Sequence, residues 1–167
     1  MPRDSEPLGE QIVTLLPRLR RFGRALCGDV SDADDLVQLT VERALLHADQ
    51  LRPDSQLSSW LFGILRNAWI DERRSRARRA TVLSCEELGD DVADPAGDQQ
   101  VEMLSVQAAM ARLPREQREV VALVLVEGLS YREAAGIMNI PIGTVTSRLA
   151  RARDALQSLL TAEGVRP

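Results

Sequence analysis

The chain has no lysine: all 21 of its basic residues are arginine. Every basic side chain is therefore a planar guanidinium, suited to bidentate contacts with phosphate or guanine. It is equally poor in the residues that build metal and redox sites, with two distant cysteines, Cys27 and Cys85, and one histidine, His47. No Cys/His spacing matches a zinc site, so the expectation is two reduced structural thiols, no metal and no cofactor. Aromatic residues make up 3% of the chain, which leaves little surface on which bases could stack. No apolar run approaches the ~18–20 residues of a membrane span. The opening MPRDSEPLGEQ is polar and acidic, unlike a signal peptide. These absences predict a cytoplasmic chain with no membrane insertion. There is also no Gly-rich phosphate loop and no nucleophile paired with a histidine base, so neither an enzyme nor a small-molecule substrate is expected.

With 167 residues the chain has room for one domain or two small ones, and 44% hydrophobic against 28% charged residues is ordinary for a globular protein. The formal net charge is −4. Binding to nucleic acid is driven largely by neutralising phosphates and releasing their counterions. An acidic chain with local basic faces therefore fits a subunit that reaches DNA inside a larger assembly.

The most informative stretch runs from Leu129 to Arg153, LSYREAAGIMNIPIGTVTSRLARAR. Ser130 and Glu133 have the spacing of a capping box. Tyr131, Ala134, Ala135 and Met138 follow at i, i+3, i+4, i+7, one apolar face of a helix. Asn139-Ile140-Pro141-Ile142-Gly143 then supplies a turn and a new helix start. In the second helix Val145, Leu149, Ala152 and Leu156 form an apolar stripe, while Thr144, Ser147, Arg148 and Arg151 share the other side. One side is made to pack and the other offers hydroxyls and guanidiniums. That is the pattern of a helix-turn-helix, whose second helix enters the major groove of DNA.

The rest of the chain also reads as helix. Leu8 to Cys27 carries Ile12, Leu15, Leu16, Leu19 and Phe22 at helical spacing, with Pro17 as a bend or break and Gly28 as the stop. A second helix is expected from Ser31 or Asp32 to about Ala48, with Asp32, Asp34 and Asp35 complementing its N-terminus. Its apolar positions are Leu36, Leu39 and Ala44, with Leu46, or Val41 and Leu45, beside them. After a Pro/Asp/Ser loop, Leu57 opens a third helix to about Arg79. Its stripe is Leu57, Trp60 or Leu61, Ile64, Leu65 and Ala68, and its tail DERRSRARR has a local charge of +3. Thr81 to Gln100 is an acidic Pro/Gly-containing stretch, expected as a flexible linker. Helices from Val101 to Leu113 and from Pro114 to Val126 complete the chain. Periodicity leaves VVALVLV open to a buried strand, but its flanks and the Glu127-Gly128 stop favour a buried helix. The predicted fold is all-α, two small helical domains joined by the acidic linker, the C-terminal one containing the helix-turn-helix.

LPREQREV, GLSYREAA and IPIGTVTSRLARAR closely resemble the −35-binding domain of bacterial sigma factors. DADDLVQLTVERAL resembles the segment by which that family docks on the clamp helices of RNA polymerase, and WLFGILRNAWIDERRSRARR its promoter-melting helix. With only two domains and a short linker, the chain is most similar to the extracytoplasmic-function (ECF) class. The resemblance implies a domain for core binding and the −10 element at 1–80, a linker at 81–100 that threads the polymerase, and a −35 domain at 101–167. It implies −35 contacts by Arg132, Thr144, Thr146, Ser147, Arg148 and Arg151, and −10 contacts by Arg66, Asn67, Arg73 and Arg74. Core polymerase contacts would fall to Asp34, Asp35, Leu36, Gln38 and Leu39, with Thr40 beside them. Thr146 and Ala150 stand where the family often carries Lys and His, and Leu39-Thr40-Val41 where it usually has Glu-Thr-Phe. The partners implied are core RNA polymerase, promoter DNA and an anti-sigma factor. A conventional repressor would carry a sensor or dimerisation domain in place of the Asp-rich and Trp/Arg helices. A sigma mimic that only titrates an anti-sigma factor would have lost its DNA-facing arginines.

Overall fold

Helix α1 (Leu8–Cys27) forms on the predicted stripe, and Ile12, Leu19, Phe22 and Leu26 are buried along it. Pro17 lies inside the helix on its exposed side without ending it. Gly28 ends it in the left-handed conformation, φ 77°, donating its N–H to the Arg24 carbonyl, a stop that glycine makes without a Cβ penalty. The computed structural model describes residues 7–83 and 106–162, and most of the predicted linker lies outside them.

Helix α2 (Val30–Leu46) starts a residue earlier than expected because Asp29 is its cap, accepting from the Asp32 N–H at 2.8 Å. It also ends earlier, and Leu45 and Leu46, read as apolar contributors, are exposed. Ala33, Leu36, Val37, Thr40 and Ala44 face inward instead. Helix α3 (Leu57–Leu83) outruns its predicted end and takes the first residues assigned to the linker. Its buried face is Leu61, Phe62, Leu65, Ala68, Trp69 and Ile70, with Leu57, Trp60 and Ile64 half-buried. Phe62 meets Phe22 edge to face, 5.1 Å between centroids. Each such fully buried large side chain contributes roughly 1.5–3 kcal/mol. Arg76 of α3 ties back to Asp32 of α2 at 2.9 Å, which holds the Asp32 carboxyl below the usual carboxylate range.

In the C-terminal half, α4 (106–112) leads through Pro114 into α5 (Arg115–Val121), which continues as a π-helical turn, Ala122–Val126. The VVALVLV run is thus helical, and Val120, Val121, Ala122 and Leu123 are buried. The π turn is closed by the Glu127 N–H on the Ala122 carbonyl, 3.0 Å. Helices α6 (Tyr131–Met138) and α7 (Ile142–Ala162) complete the chain. The two halves are in contact. Helix α1 packs on α5 and the π turn, and α3 packs on α6, so one continuous apolar core runs through both.

The capping box of α6 is complete. The Glu133 N–H donates to Ser130 Oγ at 3.2 Å, and Glu133 Oε2 accepts from the Ser130 N–H at 2.8 Å. The hydroxyl and amide of Ser130 hold the Glu133 carboxyl below its ordinary range. The box is therefore fully formed above the ordinary glutamate pKa and is lost as pH falls through the depressed one. Ser130→Ala is expected to cost about 1 kcal/mol at neutral pH, measured by urea denaturation. The deficit should shrink in acid, and a deficit independent of pH would show that Glu133 takes no part in the cap.

Candidate nucleic-acid interface

The joint between α6 and α7 is tight because Asn139 adopts the left-handed conformation, φ 53°, which Asn tolerates better than most residues. Its N–H reaches the Gly136 carbonyl at 3.3 Å and the Ile140 N–H reaches the Ala135 carbonyl at 3.1 Å. Pro141 follows, just before the first residue of α7, where a missing N–H costs nothing. Ala134, Ala135 and Met138 of α6 are buried with Val145, Leu149 and Ala152 of α7. Tyr131, read as part of the α6 apolar face, is exposed. It is the first residue of its helix and overhangs the core.

Arg132, Thr146, Ser147 and Arg151 are exposed, and Thr144 is half-buried. The three hydroxyls are not equally placed. Ser147 Oγ donates to the Thr144 carbonyl at 3.1 Å and Thr146 Oγ1 to the Ile142 carbonyl at 3.1 Å, both from the first two turns of α7. Arg148 is the exception to the expected polar face. At about 100° per residue it lies only some 40–60° from Ala152 and Val145, and its side chain is 20% exposed and paired with Glu116 of α5 at 2.8 Å.

The −10 candidates divide in the same way. Asn67, Arg73 and Arg74 are exposed on α3, and the Arg73 guanidinium lies 5.2 Å from the Trp69 ring centroid. Arg66 does not share that surface. It donates from Nε to Glu119 Oε2 of α5 at 2.7 Å with its side chain 16% exposed, so the expected DNA contact is held in the seam between the halves.

Among the polymerase candidates, Asp35, Leu36 and Leu39 line one groove of about 280 Å³, together with Trp69, Arg76 and Arg118. Leu36 is a buried core residue that only floors this groove, so Asp35 and Leu39 are its accessible members. Asp34 points away, toward Arg20 of α1 at 3.7 Å, and Gln38 is exposed. Thr40 is fully buried and donates its hydroxyl to the Leu36 carbonyl at 2.7 Å, which removes it from any contact surface.

Two profiles match in order along the chain: sigma-70 region 2 over residues 12–79 and sigma-70 region 4 over residues 103–156. An ECF RNA polymerase sigma factor, EcfG of Rhodopseudomonas palustris, is 38% identical over 160 residues, covering 96% of this chain and 88% of its own. The chain belongs to the ECF class of sigma factors. The sigma factor is also 40% identical to SigM of Mycobacterium tuberculosis over 86% of this chain and 71% of that one. Among solved structures, it superposes on the sigma factor RpoE of Bartonella quintana, bound to the anti-sigma factor NepR, with a TM-score of 0.81 and 34% identity over 91% of this chain and 95% of that one. It superposes on CnrH, bound to the cytosolic domain of CnrY, with a TM-score of 0.70 and 28% identity, over 92% and 88% of the two chains.

Glu116, Arg118 and Glu119 of this sigma factor are not singled out by the sequence, and Glu127 reads there only as part of a helix stop. Glu119 and Glu127 are the acids that flank the VVALVLV run, and acids bordering a buried helix were the available signal. No group of His, Cys, Asp and Glu among the described residues could hold a metal ion, and no described helix is long and apolar enough to cross a membrane. Cys27 is partly buried beside Asp32, and burial pushes its thiol up to about 11. In a Cys85→Ser background, Cys27 should alkylate about a hundredfold more slowly at pH 8 than an ordinary cysteine, because so little of it is thiolate. A rate near that of free cysteine would show that burial does not hold back the thiolate.

Proposed function

We propose that this sigma factor binds core RNA polymerase, directs it to promoters with −35 and −10 elements, helps open the duplex, and is restrained by an anti-sigma factor. The observation that carries the reading is the capped helix-turn-helix of α6 and α7, which presents Arg132, Thr146, Ser147 and Arg151 outward behind a region 2 match in the same chain. In this reading 1–80 serves the −10 element and the core enzyme, 81–100 links, and 101–167 reads the −35 element. Thr144, Thr146, Ser147, Arg148 and Arg151 would meet the −35 major groove with Arg132. Asn67, Arg73 and Arg74, joined by Arg66, would meet the −10 strand. Asp34, Asp35, Gln38 and Leu39, with Leu36 beneath, would meet the polymerase clamp. Nucleotide polymerisation stays with the polymerase, and the setting is cytoplasmic. The anti-sigma partner is supported by relatives solved with NepR and with the cytosolic domain of CnrY.

The test is reconstituted binding to core RNA polymerase followed by run-off transcription on a genomic fragment library. Core binding with discrete starts that share −35 and −10 sequences supports the reading. DNA binding without core association would replace it with an ordinary regulator, and core binding without transcription with a decoy.

A further inference from the structure

Three arginines line the groove beside Trp69 and Leu39, and they are unequally satisfied. Arg76 is held by two carboxylates, Asp32 at 2.9 Å and Glu72 at 3.0 Å. Arg73 and Arg118 have no carboxylate partner among the described residues. Arg73 lies instead over the Trp69 ring. Arg118 is 8% exposed and gives its terminal nitrogens to three backbone carbonyls, while its buried Nε has no hydrogen-bond partner among the described residues. The two guanidiniums also act on each other: burial lowers the Arg118 pKa first, and the positive charge of Arg73 lowers it further. Asp35, the remaining acid of the groove, is exposed, so water and salt screen it far more than they screen Arg118. A buried cation beside a like charge is costly when no anion accompanies it. A carboxylate entering the groove would supply that anion through charge-assisted hydrogen bonds.

The neighbours of these charges select the rest of the molecule. Leu26, Leu36, Leu39 and Trp69 give the groove apolar surface. Its volume of about 280 Å³ lies at the small end of ligand sites, which run from roughly 300 to 1,000 Å³. A bare phosphate would leave the apolar surface wet, and a long acyl chain would overrun the groove. We propose that the groove is a binding site for a small organic carboxylate, its charged end held by Arg73 and Arg118 and its apolar body laid against Trp69 and Leu39. Asp35 and Leu39 are also among the residues proposed to meet the polymerase clamp, so a bound carboxylate competes with core polymerase. That consequence rests on the sigma-factor reading, whereas the site itself does not.

Calorimetry of the full chain with benzoate, phenylacetate and hexanoate, at an ionic strength fixed by chloride, measures the affinity. Cys27 lines the groove and reports the location. In a Cys85→Ser background its alkylation by iodoacetamide should slow saturably, with the midpoint that calorimetry gives. Benzamide keeps the shape of benzoate without its charge, and inorganic phosphate keeps a charge without the apolar body. Each should bind more weakly than the best carboxylate by about tenfold or more. Arg73→Gln, at an exposed residue that leaves the core intact, is expected to weaken carboxylate binding by about tenfold. Arg78→Gln removes the same charge from an exposed position of α3 that does not line the groove, and should cost no more than about twofold. Three results would each overturn the site: no saturable binding of any of the three carboxylates, equal binding of benzamide or phosphate, or equal losses in the two variants. Benzoate should also lower the apparent affinity for core polymerase as it fills the groove, and an unchanged affinity would overturn the competition. If the chain did not bind core at all, the sigma-factor reading would fail while calorimetry still decided the site.

Discussion

Arg118→Ala should lower the stability of this sigma factor by about 3–5 kcal/mol, the sum of a cavity and orphaned carbonyls. Arg118 is buried without a carboxylate partner among its hydrogen bonds. Its guanidinium instead donates to the Leu26 carbonyl at the end of α1 at 3.1 Å, to the Leu113 carbonyl at 3.2 Å and to the Ala111 carbonyl at the end of α4. The final carbonyls of a helix have no partner within it and form the negative end of its dipole. One cation thus closes the ends of two helices that belong to different halves of the chain. Burial lowers its pKa from the usual arginine value, opposing the charged form, but arginine starts so high that the charge persists at neutral pH. Urea denaturation is the measurement. Arg118→Lys should recover only part of the loss, because one ammonium cannot span three carbonyls in the guanidinium's planar array. A loss below about 1 kcal/mol for the alanine variant would mean that water caps these carbonyls as well as Arg118 does.

Arg148→Ala should weaken binding to a −35 duplex by ~1–3 kcal/mol if its guanidinium makes a bidentate base contact, and should relax specificity at one position. Arg151→Ala, at an exposed residue, provides the comparison: a phosphate contact there weakens all sequences alike and reduces the salt slope by about one. The pair with Glu116 gives the experiment a second arm. Glu116→Ala frees Arg148 from a competing carboxylate and is expected to tighten binding at fixed low salt. Weaker binding in Glu116→Ala would mean that Glu116 aims Arg148 at the base. Unchanged affinity in Arg148→Ala would leave Arg148 as a strut between α5 and α7. Fluorescence anisotropy on promoter and scrambled duplexes, with core polymerase present, separates these outcomes.

Local order was readable from the residues alone. Helix periodicity located α1, α2, α3 and the bundle of α5, α6 and α7, because apolar spacing and caps act within a few residues of each other. The Ser130/Glu133 box and the Gly28 stop appear as expected, since both depend on local backbone geometry. Errors fell where that locality ends. Leu45 and Leu46 match a helical stripe, yet α2 has already left the core when it reaches them. Thr40 looks like a surface hydroxyl in sequence and is buried, its hydroxyl satisfied by a carbonyl one turn back.

The residue types and their order therefore determined by themselves an all-helical chain of sigma type, with a helix-turn-helix at its C-terminal end and arginine as its sole basic group. Tertiary structure alone decided which arginines remain available. Arg148 reads from spacing and Arg66 from the family resemblance as DNA-facing, but each has a carboxylate brought to it from a distant part of the chain, Glu119 from 53 positions away and Glu116 from another helix. An ion pair across a seam leaves no periodic trace in sequence, because neither partner's position constrains the other until both helices are packed.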